Sequence, residues 1–358
     1  MPLELWTPRE IYEITRDDRF DGFPSHFLNT YFTESHYSAE QDILIRDLPA
    51  NDRLMAPFVL PTEQGKPIWG LKGEAVRALR PAYVKPKDAV RAVEARNVRA
   101  QELFGQPLSL QQRFDMRVAE IVQYHVQKIR NTEGSLAAKA FIDGQVTIRY
   151  ERDQGQPFPE VTITFGRDAG QTITLGSNYW DNPSTLIMDN IEAWANTMAA
   201  AKLGGYPTRM YVGSSVAAVF KKNTQVKDQL DTNYLGGDVE MSRGIIRGVG
   251  VHNPMSRIGR IGEIEVWAYR DQVEFPITGM VDILDPRDIL LVAPGATGVR
   301  AYGAIYDKEA FDAGAGTTDI FQKMFDQDDP SATFILSQSA PLPIPLYPNR
   351  TLKARVLA

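Results

Sequence analysis

The residue types that could do chemistry are sparse in this chain and badly spaced for it. There is no cysteine, which removes disulfides, thiolate metal sites and cysteine nucleophiles. His26, His36, His125 and His252 are too scattered to form a zinc-binding pair one helical turn apart. Gly213-Ser214-Ser215 lacks the GxSxG setting that lifts a serine nucleophile out of a turn, and Ser214 reads as a helix cap. Gly295, Gly298 and Gly303 lack the spacing and the following lysine of a phosphate cradle. Gly314-Ala315-Gly316-Thr317-Thr318 lacks the strand–turn–helix context of a dinucleotide site, and reads as a loop. Asp326, Asp328 and Asp329 are a dense carboxylate group, which before Pro330 reads as an acidic turn. His125 lies on an apolar helical stripe, where a hydrogen-bonded core or interface histidine is the expectation rather than a ligand. The sequence thus assigns no catalytic, cofactor-binding or metal-ligating residue, and no cofactor. Carboxylates that meet only in space are invisible at this level.

The elements around these residues say more. At 358 residues the chain has the size of roughly two domains of ~150 residues. It is 43% hydrophobic and 23% charged, an ordinary globular balance that excludes a wholly disordered chain. Thirty-nine Lys and Arg against 45 Asp and Glu give −6, which is not the charge of a chain that grips nucleic acid globally. No run of 18 apolar residues suggests a membrane span. MPLELWTPRE lacks the basic flank and apolar core of a signal peptide, so a cytoplasm-like compartment is expected.

Thr7-Pro8-Arg9-Glu10 forms a capping-box pattern ahead of a short helix. Residues 1–37 hold Trp6, Tyr12, Phe20, Phe23, Phe27, Tyr31, Phe32 and Tyr37, too many rings for a disordered tail. They suit an arm packed on its own domain or on a neighbouring subunit. From 41 to 86 the pattern is extended, with strands at Asp42–Arg46 and Val76–Pro81. Prolines at 57, 61, 67, 81 and 86 fit a two-stranded projection better than a central sheet. Leu110, Phe114, Val118, Ile121, Val122, His125 and Ile129 mark a long helix. Ser109 is placed to cap it, and Gly134 to end or interrupt it. The stretch 72–130 holds twelve basic and six acidic residues, so it is either a solvated face or a partner for an acidic surface on an adjacent copy.

Strands are expected at Val146–Tyr150, Val161–Phe165 and Thr172–Leu175. Asn182 and Pro183 should open a helix whose buried side is Ile187, Ile191, Trp194 and Met198, stopped by Gly204-Gly205. Strands at Arg209–Val212, Ile264–Ala268 and Asp288–Ala293 make the block 183–325 one α+β domain, with 231–262 as an exposed loop. Pro341, Pro343, Pro345 and Pro348 enforce extended or polyproline backbone. The strands at Phe334–Gln338 and Leu352–Val356 are expected to add to the sheet of 146–175, making that domain discontinuous.

This order of parts resembles the major capsid proteins of tailed bacteriophages with the α+β Hong Kong 97-like fold, and locally the lambda-type major capsid protein E family. The resembling text is Leu54-Met55-Ala56-Pro57, Tyr83-Val84-Lys85-Pro86, Met210-Tyr211-Val212-Gly213-Ser214-Ser215-Val216, and Asp329-Pro330 ahead of Ser337-Gln338-Ser339-Ala340-Pro341-Leu342-Pro343. The resemblance implies an N-terminal arm (1–40) and an extended loop (41–86). It implies a peripheral domain (87–180 and 331–358) with a spine helix at about 108–140, and an inserted axial domain (181–330).

It also implies a structural protein, not an enzyme, that self-associates in hexamers and pentamers into an icosahedral shell around double-stranded DNA. Its expected place is the virion, after assembly in the host cytoplasm. A portal and a separate scaffolding protein are implied, the latter because the arm starts at Met1, and a decoration protein at three-fold sites is compatible. Lys66 and Lys72 lie in the loop, but no acceptor Asn is matched, so a noncovalent shell is expected. Two other readings stay open here: a bacterial nanocompartment shell of the same fold, and a two-domain soluble enzyme.

Overall fold

The computed structural model describes residues 5–8, 10–11, 25–40, 42–46, 76–91, 108–149, 160–182, 184–223, 225–226, 254–275, 279–312, 316–329 and 331–358. In chain order come α1 (His26–Tyr31), β1 (Phe32–Tyr37), β2 (Ile43–Arg46), β3 (Val76–Leu79), β4 (Lys87–Val90) and α2 (Leu110–Asp143). Then follow β5 (Gln145–Arg149), β6 (Glu160–Thr164), β7 (Thr172–Thr174), α3 (Ile187–Ala200), β8 (Arg209–Val212) and α4 (Ser214–Phe220). The strands β9 (Met255–Ile261), β10 (Ile264–Tyr269), β11 (Gln272–Phe275), β12 (Gly279–Asp282), β13 (Asp288–Val292) and β14 (Gly298–Tyr302) precede α5 (Lys308–Asp312). The chain closes with β15 (Phe321–Gln327), β16 (Ala332–Gln338), β17 (Pro341–Pro345) and β18 (Thr351–Arg355). Two compact units result. The first draws on Met1–Ile43, Arg80–Ala138 and Gly298–Ile344, the second on Leu44–Leu79, Lys139–Thr297 and Pro345–Ala358.

The first unit is organised by α2. Its start is a reciprocal cap: Ser109 N–H donates to Gln112 Oε1 at 2.9 Å, and Gln112 N–H donates to Ser109 Oγ at 3.2 Å. Phe114, Val118, Ile121 and Val122 then bury against Val90, Met324 and Ile335 of the sheet β15-β16-β4. Gly134 does not stop the helix. It sits where Ser25 crosses, and a Cβ there would lie 2.7 Å from the serine's own Cβ. The helix runs on for 34 residues, about 50 Å at 1.5 Å per residue. It ends at Gly144, whose φ of +67° suits a residue without a Cβ.

The described parts of the arm pack on their own unit rather than awaiting a neighbour. Thr7 and Glu10 make the expected capping box, with Thr7 N–H donating to Glu10 Oε2 at 2.8 Å. Trp6 Nε1 donates to Asp115 Oδ1 at 3.1 Å, and Ile11 is buried in the α2 cluster. Phe27, Tyr31 and Phe32 are buried as well. Tyr12, Phe20 and Phe23 lie outside the described residues. So do Leu54–Pro61, Ile68–Leu71, Lys66 and Lys72 of the expected projection, but β2 and β3 pair as its base.

The proline-rich stretch is a strand, not a free polyproline segment: β17 pairs in the sheet β1-β14-β17. Successive N–H groups of a strand point to opposite edges. Pro341, Pro343 and Pro345 therefore lose donors on one edge only, and Leu342 and Ile344 keep theirs for the other, which is how an edge strand tolerates proline.

The second unit holds a six-stranded sheet ordered β7-β18-β13-β8-β10-β9. β13 is buried along its whole length. α3 covers the sheet with Ile187, Ile191, Trp194 and Met198, and Trp180 stacks on Trp194 at 5.9 Å.

Four expectations are corrected here. β16 pairs with β15 and β4, not with 146–175, where β5 and β6 form their own hairpin; only β18 joins β7, and its other neighbour is β13. Part of 231–262 is strand β9, paired with β10 across a register shift at Val266/Trp267. That bulge resets the alternation, so Met255, Ile258 and Ile261 fall three apart and disguise the strand. Asn182 does not cap α3, which begins at Ile187. Its Oδ1 accepts from Ser184 N–H at 3.1 Å, a turn two residues on. Ser214 is the first residue of α4 and makes no cap bond; Gly213 holds the cap position, against the backbone of Asp285 and Pro286.

Candidate functional site

The polar groups that sequence reasoning passed over sit at the seam between α2 and the β15-β16-β4 sheet. His125 Nδ1 lies 2.9 Å from Ser337 Oγ, and its Nε2 lies 2.8 Å from Asp88 Oδ2. These are the members of a hydrolytic triad in hydrogen-bond contact, but such a triad needs its serine open to substrate. Ser337 and His125 are both 0% exposed, and Ser337 Oγ also accepts from Gln322 Nε2 at 2.9 Å. The arrangement therefore fastens the helix to the sheet, as expected of a core histidine.

The seam continues outward. Gln338 accepts from Tyr83 OH at 2.6 Å and donates to Asp307 Oδ2 at 2.7 Å; Lys323 Nζ donates to Asp307 Oδ1 at 3.0 Å and to Glu309 at 3.2 Å. Burial pushes the Asp307 carboxyl up, but the bonds from Lys323, Gln338 and the Glu309 N–H outweigh it and hold it below the usual carboxylate range. Nearby, Glu133 is buried. Its carboxylate accepts from Tyr302 OH at 2.6 Å and from Arg130 at 3.0 Å, while Arg130 also reaches Asp319 at 2.7 Å. Burial disfavours the Arg130 cation, but Glu133, Tyr302 and Asp319 overcome this and raise it above its ordinary value. Tyr302 is raised by burial first and by Glu133 second.

In the second unit Lys353 Nζ bridges Asp143 at 2.8 Å and Asp288 at 3.0 Å, and Arg355 clasps Asp288 at 2.9 Å and Asp285 at 2.6 Å. Arg167 donates to the carbonyls of Ile142 at 2.6 Å and Gln171 at 2.7 Å, serving the open C-terminus of α2. Burial lowers this guanidinium to about 10. All three sets are structural ties rather than an open cleft, and Arg167 Nε is left without a hydrogen-bond partner among the described residues.

The glycines and carboxylates weighed for chemistry are placed elsewhere. Arg350 Nη1 donates to the carbonyls of Pro294 and Gly295, at 3.1 and 2.9 Å, so that turn is held from within. Gly298 lies beneath the Phe32 ring. Asp326 accepts from Thr333 Oγ1 at 2.6 Å beside the β15–β16 turn. Among the described residues, no group of three or more acidic or histidine side chains could hold a metal ion, and no helix is long and apolar enough to cross a membrane. What remains is surface. Tyr306 and Phe311 are 55% and 59% exposed and meet edge to face at 6.4 Å. Met280 and Val281 are exposed on the β11–β12 hairpin. Among the described residues, the buried polar groups fasten elements together, and these rings and strand residues are open to contact.

Comparison with known proteins agrees. The P21 prophage-derived major head protein of Escherichia coli O6:H1 (strain CFT073) is 24% identical over 362 residues, covering 98% of this chain and 99% of its own. The major capsid protein of Enterobacteria phage P21 matches with the same figures. The crystal structure of a prophage capsid protein from E. coli CFT073 shares the fold, with a TM-score of 0.70 at 17% identity over 99% of this chain and 100% of that one. Residues 19–356 match the family described as phage major capsid protein E. The chain therefore belongs to the phage major capsid protein E family, structural subunits of the phage head shell rather than enzymes.

Proposed function

We propose that this chain builds an icosahedral shell of Hong Kong 97-like subunits, gathered in hexamers and pentamers, that encloses double-stranded DNA. Assembly takes place in the host cytoplasm, with a portal and a separate scaffolding protein, and a decoration protein at three-fold sites is compatible with it. Residues 1–40 are the arm, 41–86 the loop, 87–180 with 331–358 the peripheral domain and 181–330 the axial domain. The observation that carries this reading is the whole-chain match to a capsid fold at a TM-score of 0.70. The paired base of the loop at β2 and β3 supports it, since an isolated two-stranded projection is only marginally stable in water and gains by docking on a neighbour. Contacts per subunit above the ~1,600 Å² of a standard interface are expected. Electron microscopy of the purified protein, alone and with its neighbouring gene products, tests this. Rings, sheets or shells are the expected result, and a monodisperse monomer under every condition would overturn it.

A further inference from the structure

We propose that Gln322, Ser337, His125 and Asp88 form a reversible hydrogen-bond relay, through which proton uptake at His125 tightens the hold of α2 on β4. The four side chains come from four elements, β15, β16, α2 and β4, and the imidazole is at their centre. Asp88 offers only acceptors when ionised, so Nε2 must carry a proton toward it. With a neutral ring, Nδ1 accepts from Ser337 O–H, whose oxygen in turn accepts from the Gln322 amide. With a charged ring, Nδ1 donates to Ser337, and the serine proton needs another acceptor.

The structure contains one. Gln322 Oε1 is buried and has no hydrogen-bond partner among the described residues. A turn of that amide brings this oxygen to the serine and reverses the two bonds between His125 Nδ1 and Gln322, while Nε2 donates to Asp88 throughout. The contact with Asp88, already assisted by the carboxylate charge, then becomes an ion pair between two charged groups at 2.8 Å.

The other charged groups on these elements are already engaged. Lys87 on β4 lies over the Phe334 and Phe325 rings, at 3.9 and 5.2 Å. Lys323 on β15 is held by Asp307 and Glu309. On α2, Lys128 lies over Tyr124 and Arg130 is held by Glu133 and Asp319. β16 carries no charged residue. Asp88 is the exposed end of the relay, with 53% of its side chain in solvent, and it stands two residues beyond Pro86, where the sequence ends the loop region. A proton on His125 is thus read out at the strand that follows the loop.

A double-mutant cycle tests the relay on the full-length chain. His125→Gln, Asp88→Asn and the pair are unfolded in urea at pH 5.5 and at pH 8. The expected coupling between the two sites, as a ratio of equilibrium constants, is at least about threefold larger at pH 5.5. Equal coupling at the two pH values overturns the proposal. Hydrogen–deuterium exchange of peptides spanning 83–91 in the unmodified protein, corrected for intrinsic rates, gives an independent reading if a variant does not fold. Greater protection at pH 5.5 is expected. This pH effect should vanish in Ser337→Ala, and protection that is the same at both pH values, or unchanged by that substitution, refutes the relay.

Discussion

Arg167 Nη1 lies 2.6 Å from the carbonyl oxygen of Ile142, so a residue beyond the β5–β6 hairpin closes the end of the 34-residue helix. The chain turns at Gly144, packed so closely that a Cβ there would fall 2.6 Å from Arg167 Cδ. Replacing Arg167 by Met should cost about 2–3 kcal/mol, since it strips partners from two carbonyls at once. Gly144→Ala should cost about 1–3 kcal/mol through strain at positive φ and overpacking. Urea denaturation with unchanged m-values checks both.

Tyr302→Phe removes the hydroxyl that donates to buried Glu133 at 2.6 Å. A carboxylate left short of a donor in the interior should lower stability by about 1–3 kcal/mol. Adding Glu133→Gln to Tyr302→Phe should then cost less than the sum of the two single changes, because the charge that needed the donor is gone. Thermal unfolding of the two single variants and the double variant measures the difference.

Acid should act through Asp307. Its folded carboxyl is held below the ordinary value, so the stability it contributes is complete above about pH 4 and is lost as pH falls through the depressed value. Asp285 is lowered too: burial pushes it up, but Arg287 and Arg355 outweigh that. Asp271 has the opposite sign. Burial raises it, so what it adds is present at low pH and fades as pH rises through the raised value. Asp307→Asn should flatten the acid limb of a stability–pH curve measured from pH 5 down to pH 2.5.

Mature particles should be held together without covalent links between subunits. On a denaturing gel they should run as a single band near 40.1 kDa. A ladder of higher bands would show the contrary.

Much of this fold could be read from residue order. The stripe from Phe114 to Ile129 specified α2, and Ser109 marked its start, because a helical period and a cap are local properties. The same holds for Ile187, Ile191, Trp194 and Met198 on α3. That Gln112 returns the bond to Ser109 was seen only in the fold. What escaped was non-local. Gly134 looked like a helix breaker, since nothing nearby in the chain announces that Ser25 crosses there. β9 was hidden by its own bulge, where Ile258 is passed over between the Gly259 and Arg257 pairings. The prolines of β17 called for extended or polyproline backbone and the former is found, but its pairing with β14 was not legible, because that depends on which edge the prolines face. The polar seam was half legible: His125 on an apolar stripe called for buried partners, but Asp88 and Ser337 lie 37 and 212 residues away.

The alternating prolines of β17 have a consequence for how the margin of its sheet is closed. The side turned away from β14 offers carbonyls at 341, 343 and 345 but no amide hydrogens to match them. All five residues of β17 are buried, so the chain itself seals this margin. Whatever covers it cannot complete a ladder there and must hold by side-chain packing instead.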